Sequence, residues 1–134
     1  MTNEEKYKRL TGCLNKWLKC VHEEKLLADY LEYKSIASVA VYGYGILGKN
    51  AVRELSIHEF PILWIADRRK IGVMESFPTY LADQLEDAPQ PDLIIISSVT
   101  DVEEIEKKLQ GIFQCLIITI EELIDCISGW GSIY

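Results

Sequence analysis

The sequence is poor in the residues from which metal sites and disulfide frameworks are built. It has two histidines and four cysteines, and Cys13, Cys20, Cys115 and Cys126 contain no C-x-x-C pair, so neither a zinc site nor a disulfide scaffold is expected. The thiols read as buried or idle groups in a reducing compartment. Positive charge is also scarce. Fourteen Lys and Arg against 21 Asp and Glu leave a net charge of −7, and the clustered cations that nucleic acid or an anionic membrane surface requires are missing. No apolar run approaches the length of a membrane span: "LIIISSV" and "CLIITI" are strand-length, and the polar start "MTNEEKYKR" has no signal-peptide core. Membrane insertion is therefore not expected, and the expected compartment is the cytoplasm.

What is present suits a folded chain. At 134 residues, 49% hydrophobic and 26% charged, the composition is that of one globular domain with a real core. The expected organisation is a single nucleotide-binding domain over 1–134, with 1–34 as a helical lead-in and 128–134 as a tail. In the lead-in, Leu10, Leu14, Trp17 and Val21 recur at helical steps, and Leu26, Leu27, Tyr30 and Leu31 continue them after a break near His22. Such an amphipathic helix either packs on its own domain or docks a partner.

From Ser38 the chain alternates strand and helix. Strands are expected at Ser38–Tyr42, "PILWIAD", a short stretch near Val73, "DLIIISS" and "CLIIT". Helices are expected from Gly45 to about Leu55, with Ile46, Leu47, Ala51, Val52 and Leu55 on one side, and as a short piece from Tyr80 to Leu85. Two more open on apparent capping boxes, Thr100-x-x-Glu103 and Thr119-x-x-Glu122; Gly111 closes the first of these, and the second runs to about Ile127. Unbroken apolar strands alternating with helices imply an α/β fold, a doubly wound parallel sheet of about five strands in Rossmann-like order 3-2-1-4-5. In such sheets ligands sit at the carboxyl ends of the strands where the order reverses.

That place carries the stretch "VAVYGYGILGKNAVREL", which admits two readings. As Gly43-x-x-x-x-Gly48-Lys49 it is a P-loop, but Asn50 stands where a magnesium-binding hydroxyl is needed, and no second carboxylate closes an apolar strand in the right place. As Gly43-Tyr44-Gly45-Ile46-Leu47-Gly48 it is the G-x-G-x-x-G dinucleotide turn, with a strand before it and a helix after it. Asp67 closes the next strand 24 residues after Gly43, close to the roughly 20 expected. On this reading Gly43 makes the turn, Gly45 admits a pyrophosphate and Gly48 lets helix and strand pack, while N–H groups from Gly45 to Leu47 face the phosphates. Asp67 then accepts hydrogen bonds from ribose hydroxyls. Arg68, Arg69 and Lys70 either pair with a 2′-phosphate or a coenzyme A 3′-phosphate, or form a solvated charge run. Ser97 and Ser98 lie at the switch point and suit a ribose or phosphate, or a helix cap.

No catalytic constellation is evident. Tyr30-x-x-x-Lys34 has the Tyr-x-x-x-Lys spacing of short-chain dehydrogenases but precedes the glycine turn, so it reads as coincidence. Neither His22 nor His58 falls at a strand end.

The segments "SVAVYGYGILGKNAVREL", "WIADRR", "PDLIIISSVTDVEEIEKKL" and "ITIEELID", with the lead-in "KWL…YLEYKSI", resemble the small bacterial Rossmann-type domains associated with capsule and surface-polysaccharide synthesis. The glycine turn is also similar to the nucleotide-sugar-binding N-terminal domain of sugar acyltransferases and to the cofactor domain of membrane-associated sugar dehydratases. By position, the resemblance implies Gly43, Gly45, Gly48 and Asp67 as ligand residues. Two departures stand out: Leu47 replaces a histidine frequent in the acyltransferase pattern, and the catalytic parts of both groups are not in the sequence. The resemblance thus implies a pocket for NAD(P) or a nucleotide-sugar and no assigned reaction. The expected function is a nucleotide-binding module, non-catalytic alone, accessory to polysaccharide or sugar-nucleotide metabolism, acting as a homo-oligomer or beside a sugar-modifying enzyme. Two alternatives stand beside it. One is a protein-interaction module with a vestigial turn, using the N-terminal helix or the tail with Trp130 and Tyr134. The other is a small NAD(P)-dependent oxidoreductase completed by oligomerisation.

Overall fold

The computed structural model describes residues 1–69 and 76–131. Along the chain run α1 (Asn3–His22), α2 (Leu27–Tyr33), β1 (Val39–Tyr42), α3 (Ile46–Ile57), β2 (Ile62–Asp67) and β3 (Thr79–Leu81). Then follow β4 (Leu93–Ile96), α4 (Val102–Gln110), β5 (Leu116–Thr119) and α5 (Ile120–Gly129). All strand pairings are parallel and the order is β3-β2-β1-β4-β5. This is the Rossmann-like α/β sheet predicted from the alternation of apolar strands and amphipathic helices.

Burial on both faces explains why the central strands carry no polar alternation. Val39 and Val41 of β1 point, with Ile65 and Ile95, into a core closed by α1, α2, α3 and α5. Ala40 and Tyr42 point the other way, with Trp64, Ile94 and Ile96, toward Ile105 and Leu109 of α4.

The lead-in breaks after His22, where Glu24 takes a left-handed φ of 59°, and helix resumes at Leu27. The residue before it, Leu26, has no side chain able to cap, and the acceptor comes from elsewhere. Glu54 of α3 takes the Leu27 backbone N–H at 2.7 Å on one oxygen and the Trp17 indole N–H at 2.9 Å on the other. One carboxylate thereby joins α1, α2 and α3, satisfying donors that would otherwise be stranded in a half-buried seam. Further along, α1 lies on α5, with Arg9 paired to Glu121 and Lys16 to Asp125. Cys13, Trp17 and Cys20 are buried beneath. Burial, reinforced by Glu121 and Asp125, pushes the Cys13 thiol up to about 11, as suits a packing residue. Most of the apolar stripe of the lead-in, Val21 near the end of α1 being 38% exposed, therefore packs on its own fold. The tail's Trp130 does the same, its ring 5.6 Å from those of both Tyr30 and Tyr33; Tyr134 lies outside the described residues.

Three local expectations need correction. No helix forms from Tyr80 to Leu85: Thr79–Leu81 pairs with β2 as β3, and turns follow. The open edge of β2 offers a ladder, and Tyr80 packs edge-on against Trp64 at 6.2 Å, an arrangement a helix there would forfeit. The strand expected near Val73 lies outside the described residues. Thr100 does not cap α4; Asp101 holds the cap position at a left-handed φ of 55° with no side-chain cap bond, because Thr100 is drawn back into a turn with Ser98. Ile46, expected on the buried side of α3, is exposed because it is the first residue of the helix, at the sheet's end. The box at Thr119 does form, its hydroxyl accepting from Glu122 N–H at 3.1 Å.

Replacing Glu54 by Ala strands two donors at once. The expected loss is about 2 kcal/mol, a fall of several degrees in the unfolding midpoint measured by circular dichroism, with Glu54→Gln losing less.

Candidate functional site

Three strand ends meet where the sheet order reverses. Gly43 N–H donates to Ala66 O at 2.7 Å and Ser97 N–H to Tyr42 O at 2.8 Å, so the ends of β2 and β4 flank the end of β1. Above them opens a cleft of about 310 Å³. Gly43, Tyr44, Gly45, Ile46, Leu47, Asp67, Arg68, Ser97 and Ser98 all line it, so the structure brings together nine of the positions singled out in the sequence. Gly48 is not in the lining and acts from behind it.

The three glycines have different reasons. Gly43 has φ +101°, a conformation that side chains rarely adopt. At Gly48 a Cβ would stand 1.9 Å from Gly43 O, so α3 is seated on the turn with no room for a methyl group. Gly45, the N-cap of α3, has φ −84° and nothing within 4 Å of where its Cβ would be. Neither backbone nor packing demands a glycine there; the space beside it belongs to the cleft.

The polar groups divide into those already engaged and those free to bind. Asp67 reaches back over the turn, one oxygen accepting from Tyr44 N–H at 2.6 Å and the other from Arg69 N–H at 3.1 Å. A carboxylate has about four lone-pair sites, so two such bonds leave it capacity for ribose hydroxyls. Arg68 donates to Asp101 at 3.1 Å, bridging the lip of the cleft from β2 to the loop before α4, and that hydrogen bond raises its pKa further. Ser98 is spent on its own loop, donating to Thr100 O at 2.9 Å. Ser97 is different: it is 6% exposed, and its hydroxyl has no partner among the described residues. Its Cβ lies 3.5 Å from where a Gly48 Cβ would be, against the first turn of α3. A buried hydroxyl left unpaired costs free energy, and such groups ask for an explanation.

The cleft also has a wall that the sequence reading missed. Lys6, Tyr7 and Leu10 of α1 line it, held there because Arg9 donates to Val99 O at 3.1 Å while pairing with Glu121. With Arg68 and Arg69, Lys6 makes three cations around one carboxylate, a local reversal of the −7 overall charge. No local signal marks these α1 residues, because the contacts span some 90 to 112 positions of chain.

Other readings find no support in this geometry. Lys49 lies over the Tyr44 ring at 5.6 Å, and the Asn50 amide donates to Ile46 O at 2.9 Å, so neither lines the cleft as P-loop chemistry needs. Tyr30 and Lys34 are also outside it, and burial holds the Tyr30 phenol above its ordinary value, opposite to what a dehydrogenase tyrosine requires. Among the described residues no group of three or more His, Cys, Asp or Glu side chains is placed to hold a metal ion. Lys70 lies outside the described residues.

No protein-family model matches the chain, and no curated protein matches it in sequence. Among solved structures, the apo form of an NADPH-dependent glyoxylate/hydroxypyruvate reductase from Sinorhizobium meliloti is similar over 72% of this chain and 42% of that one, at 20% identity and a TM-score of 0.39. The chain spans less than half of that reductase's length. The Rossmann-like assignment rests on the strand order and the parallel pairings themselves.

The glycines can be separated by substitution. Gly48→Ala is expected to cost about 3 kcal/mol, because backbone must move to admit the methyl. Gly45→Ala should change stability by less than about 1 kcal/mol. Urea denaturation of the two variants checks both values.

Proposed function

We propose that this chain is a nucleotide-binding module whose phosphates lie on the first turn of α3. One observation carries the reading: Gly45 is a glycine that the protein's own structure does not need, at the mouth of a cation-rimmed cleft. Around it the chemistry is consistent. The first N–H groups of a 12-residue helix face the cleft with the favourable end of the helix dipole. Asp67 keeps acceptor capacity for ribose hydroxyls, and the unpaired Ser97 hydroxyl sits where a polar ligand would satisfy it. NAD(P) and nucleotide-sugars fit this description, and coenzyme A fits through its nucleotide half. On this reading the module binds without catalysing, and the resemblance of its glycine turn and strands to polysaccharide-associated Rossmann-type domains supports a place beside enzymes of polysaccharide or sugar-nucleotide metabolism.

A second reading, a protein-interaction module, is favoured by a separate feature. Leu18 and Ile57 are 54% and 69% exposed beside an apolar groove of about 440 Å³ between α1 and α3, and such patches are common at interfaces. On that reading a second copy or a sugar-modifying enzyme covers the groove.

Thermal unfolding against NAD(H), NADP(H), UDP-sugars and coenzyme A tests the first reading. A ligand at about 100 times its dissociation constant adds roughly 2.7 kcal/mol, and the expected result is a shift of several degrees for wild type and none for Gly45→Val. No shift with any of them at millimolar concentration would overturn it. The second reading expects self-association in sedimentation velocity, weakened at least tenfold by Leu18→Lys; an unchanged sedimentation profile counts against it.

A further inference from the structure

We infer that the cleft takes a single nucleotide, a nucleoside mono- or diphosphate with or without a small substituent, and has no subsite for the second nucleotide of a dinucleotide. This rests on the nucleotide reading above and narrows its ligand class. A dinucleotide on a doubly wound sheet straddles the switch point, with one nucleotide over the β1–β2 side and the other continuing across β4. Here the first half is built and the second is closed in two independent ways.

The first closure is steric. The first turns of helix α1 stand at the carboxyl end of the sheet, and Arg9 fastens them there by donating to Val99 O at 3.1 Å, three residues beyond the end of β4, while its other nitrogens pair with Glu121 at the start of α5. Lys6, Tyr7 and Leu10 then form the wall of the cleft on the side where a second nucleotide would leave. The cleft volume of about 310 Å³ is near the lower limit for small-molecule pockets.

The second closure is electrostatic. Beyond the first turns of α1, the carboxyl ends of β4 and β5 open onto a broad groove of about 840 Å³ lined by Asp101, Glu103, Glu104, Glu121, Glu122 and Asp125, with Lys6 and Arg9 the only cationic side chains among its described lining. Six carboxylates there disfavour a second phosphate. The three cations of the first cleft, the start of α3 and the unpaired Ser97 hydroxyl, 6% exposed, favour the phosphate on the other side of α1.

Isothermal titration calorimetry of the full chain with ADP, UDP, NADH and NADPH at fixed salt tests the inference. The expected result is that ADP or UDP binds at least as tightly as either dinucleotide. Glu121→Gln, which breaks the ion pair to Arg9 and removes one carboxylate outside the cleft, is expected to improve NADH or NADPH several-fold relative to ADP or UDP. The exposed Arg9–Glu121 pair contributes little to folding, so the variant should remain folded. NADH or NADPH binding tenfold or more tightly than both ADP and UDP would overturn the inference and leave the nucleotide reading standing, as would an unchanged ratio in Glu121→Gln. Failure of all four to bind at millimolar concentration would overturn the nucleotide reading and this inference with it.

Discussion

Helix α3 sits against the end of β1 so closely that a Cβ on Gly48 would overlap Gly43 O at 1.9 Å. That contact sets where the helix begins and therefore where its unpaired N–H groups point. The left-handed turn at Gly43 passes the chain over the sheet edge, and the two ladder bonds from Gly43 and Ser97 bring the ends of β2 and β4 level with it. Asp67, Ser97 and the start of α3 face one another because one helix and three strand ends share that origin. Any side chain at position 48 would lift α3 and move the floor of the cleft along with it.

The second determinant is the N-terminal helix. A five-stranded sheet with α3 and α5 on one face still leaves apolar surface, which α1 and α2 cover with Cys13, Trp17, Cys20, Leu27 and Leu31. Glu54 holds this layer to α3, and Arg9 and Lys16 hold it to α5. The exposed ion pairs add little energy but fix direction. The helix that completes the core therefore also reaches the carboxyl end of the sheet, where Lys6, Tyr7 and Leu10 become a wall of the cleft. Packing and site construction are one act here.

Much of this was legible in the sequence, for reasons that can be named. Strands β1, β2 and β4 are unbroken apolar runs, and a parallel sheet buried on both faces leaves that signature whatever surrounds it; β5 carries the same pattern although, as an edge strand, it leaves Leu116 63% exposed. Gly43 and Gly48 obey local rules, one of backbone conformation and one of close approach, and their spacing with Asp67 gathers the cleft's first side. The three residues of β3 carry no periodic signal, and their pairing depends on the open edge of β2. Thr100 fits a capping pattern in sequence, yet its backbone N–H and carbonyl are bonded to the Ser98 hydroxyl in a turn, with its own hydroxyl 3.4 Å from the same oxygen.

What the sequence by itself determined is the fold class, the position of the glycine turn and the acid that faces it, because these follow from side-chain periodicity and backbone sterics over a few residues. Tertiary structure alone decided which groups are free. Asp67 is partly spent on Tyr44, Arg68 on Asp101 and Ser98 on its own loop, whereas Ser97 has no partner among the described residues. It alone also placed the first turns of α1 beside the crevice, through a hydrogen bond and an ion pair between residues 90 and 112 positions apart. Such contacts depend on distances in space, which no local pattern in the chain records.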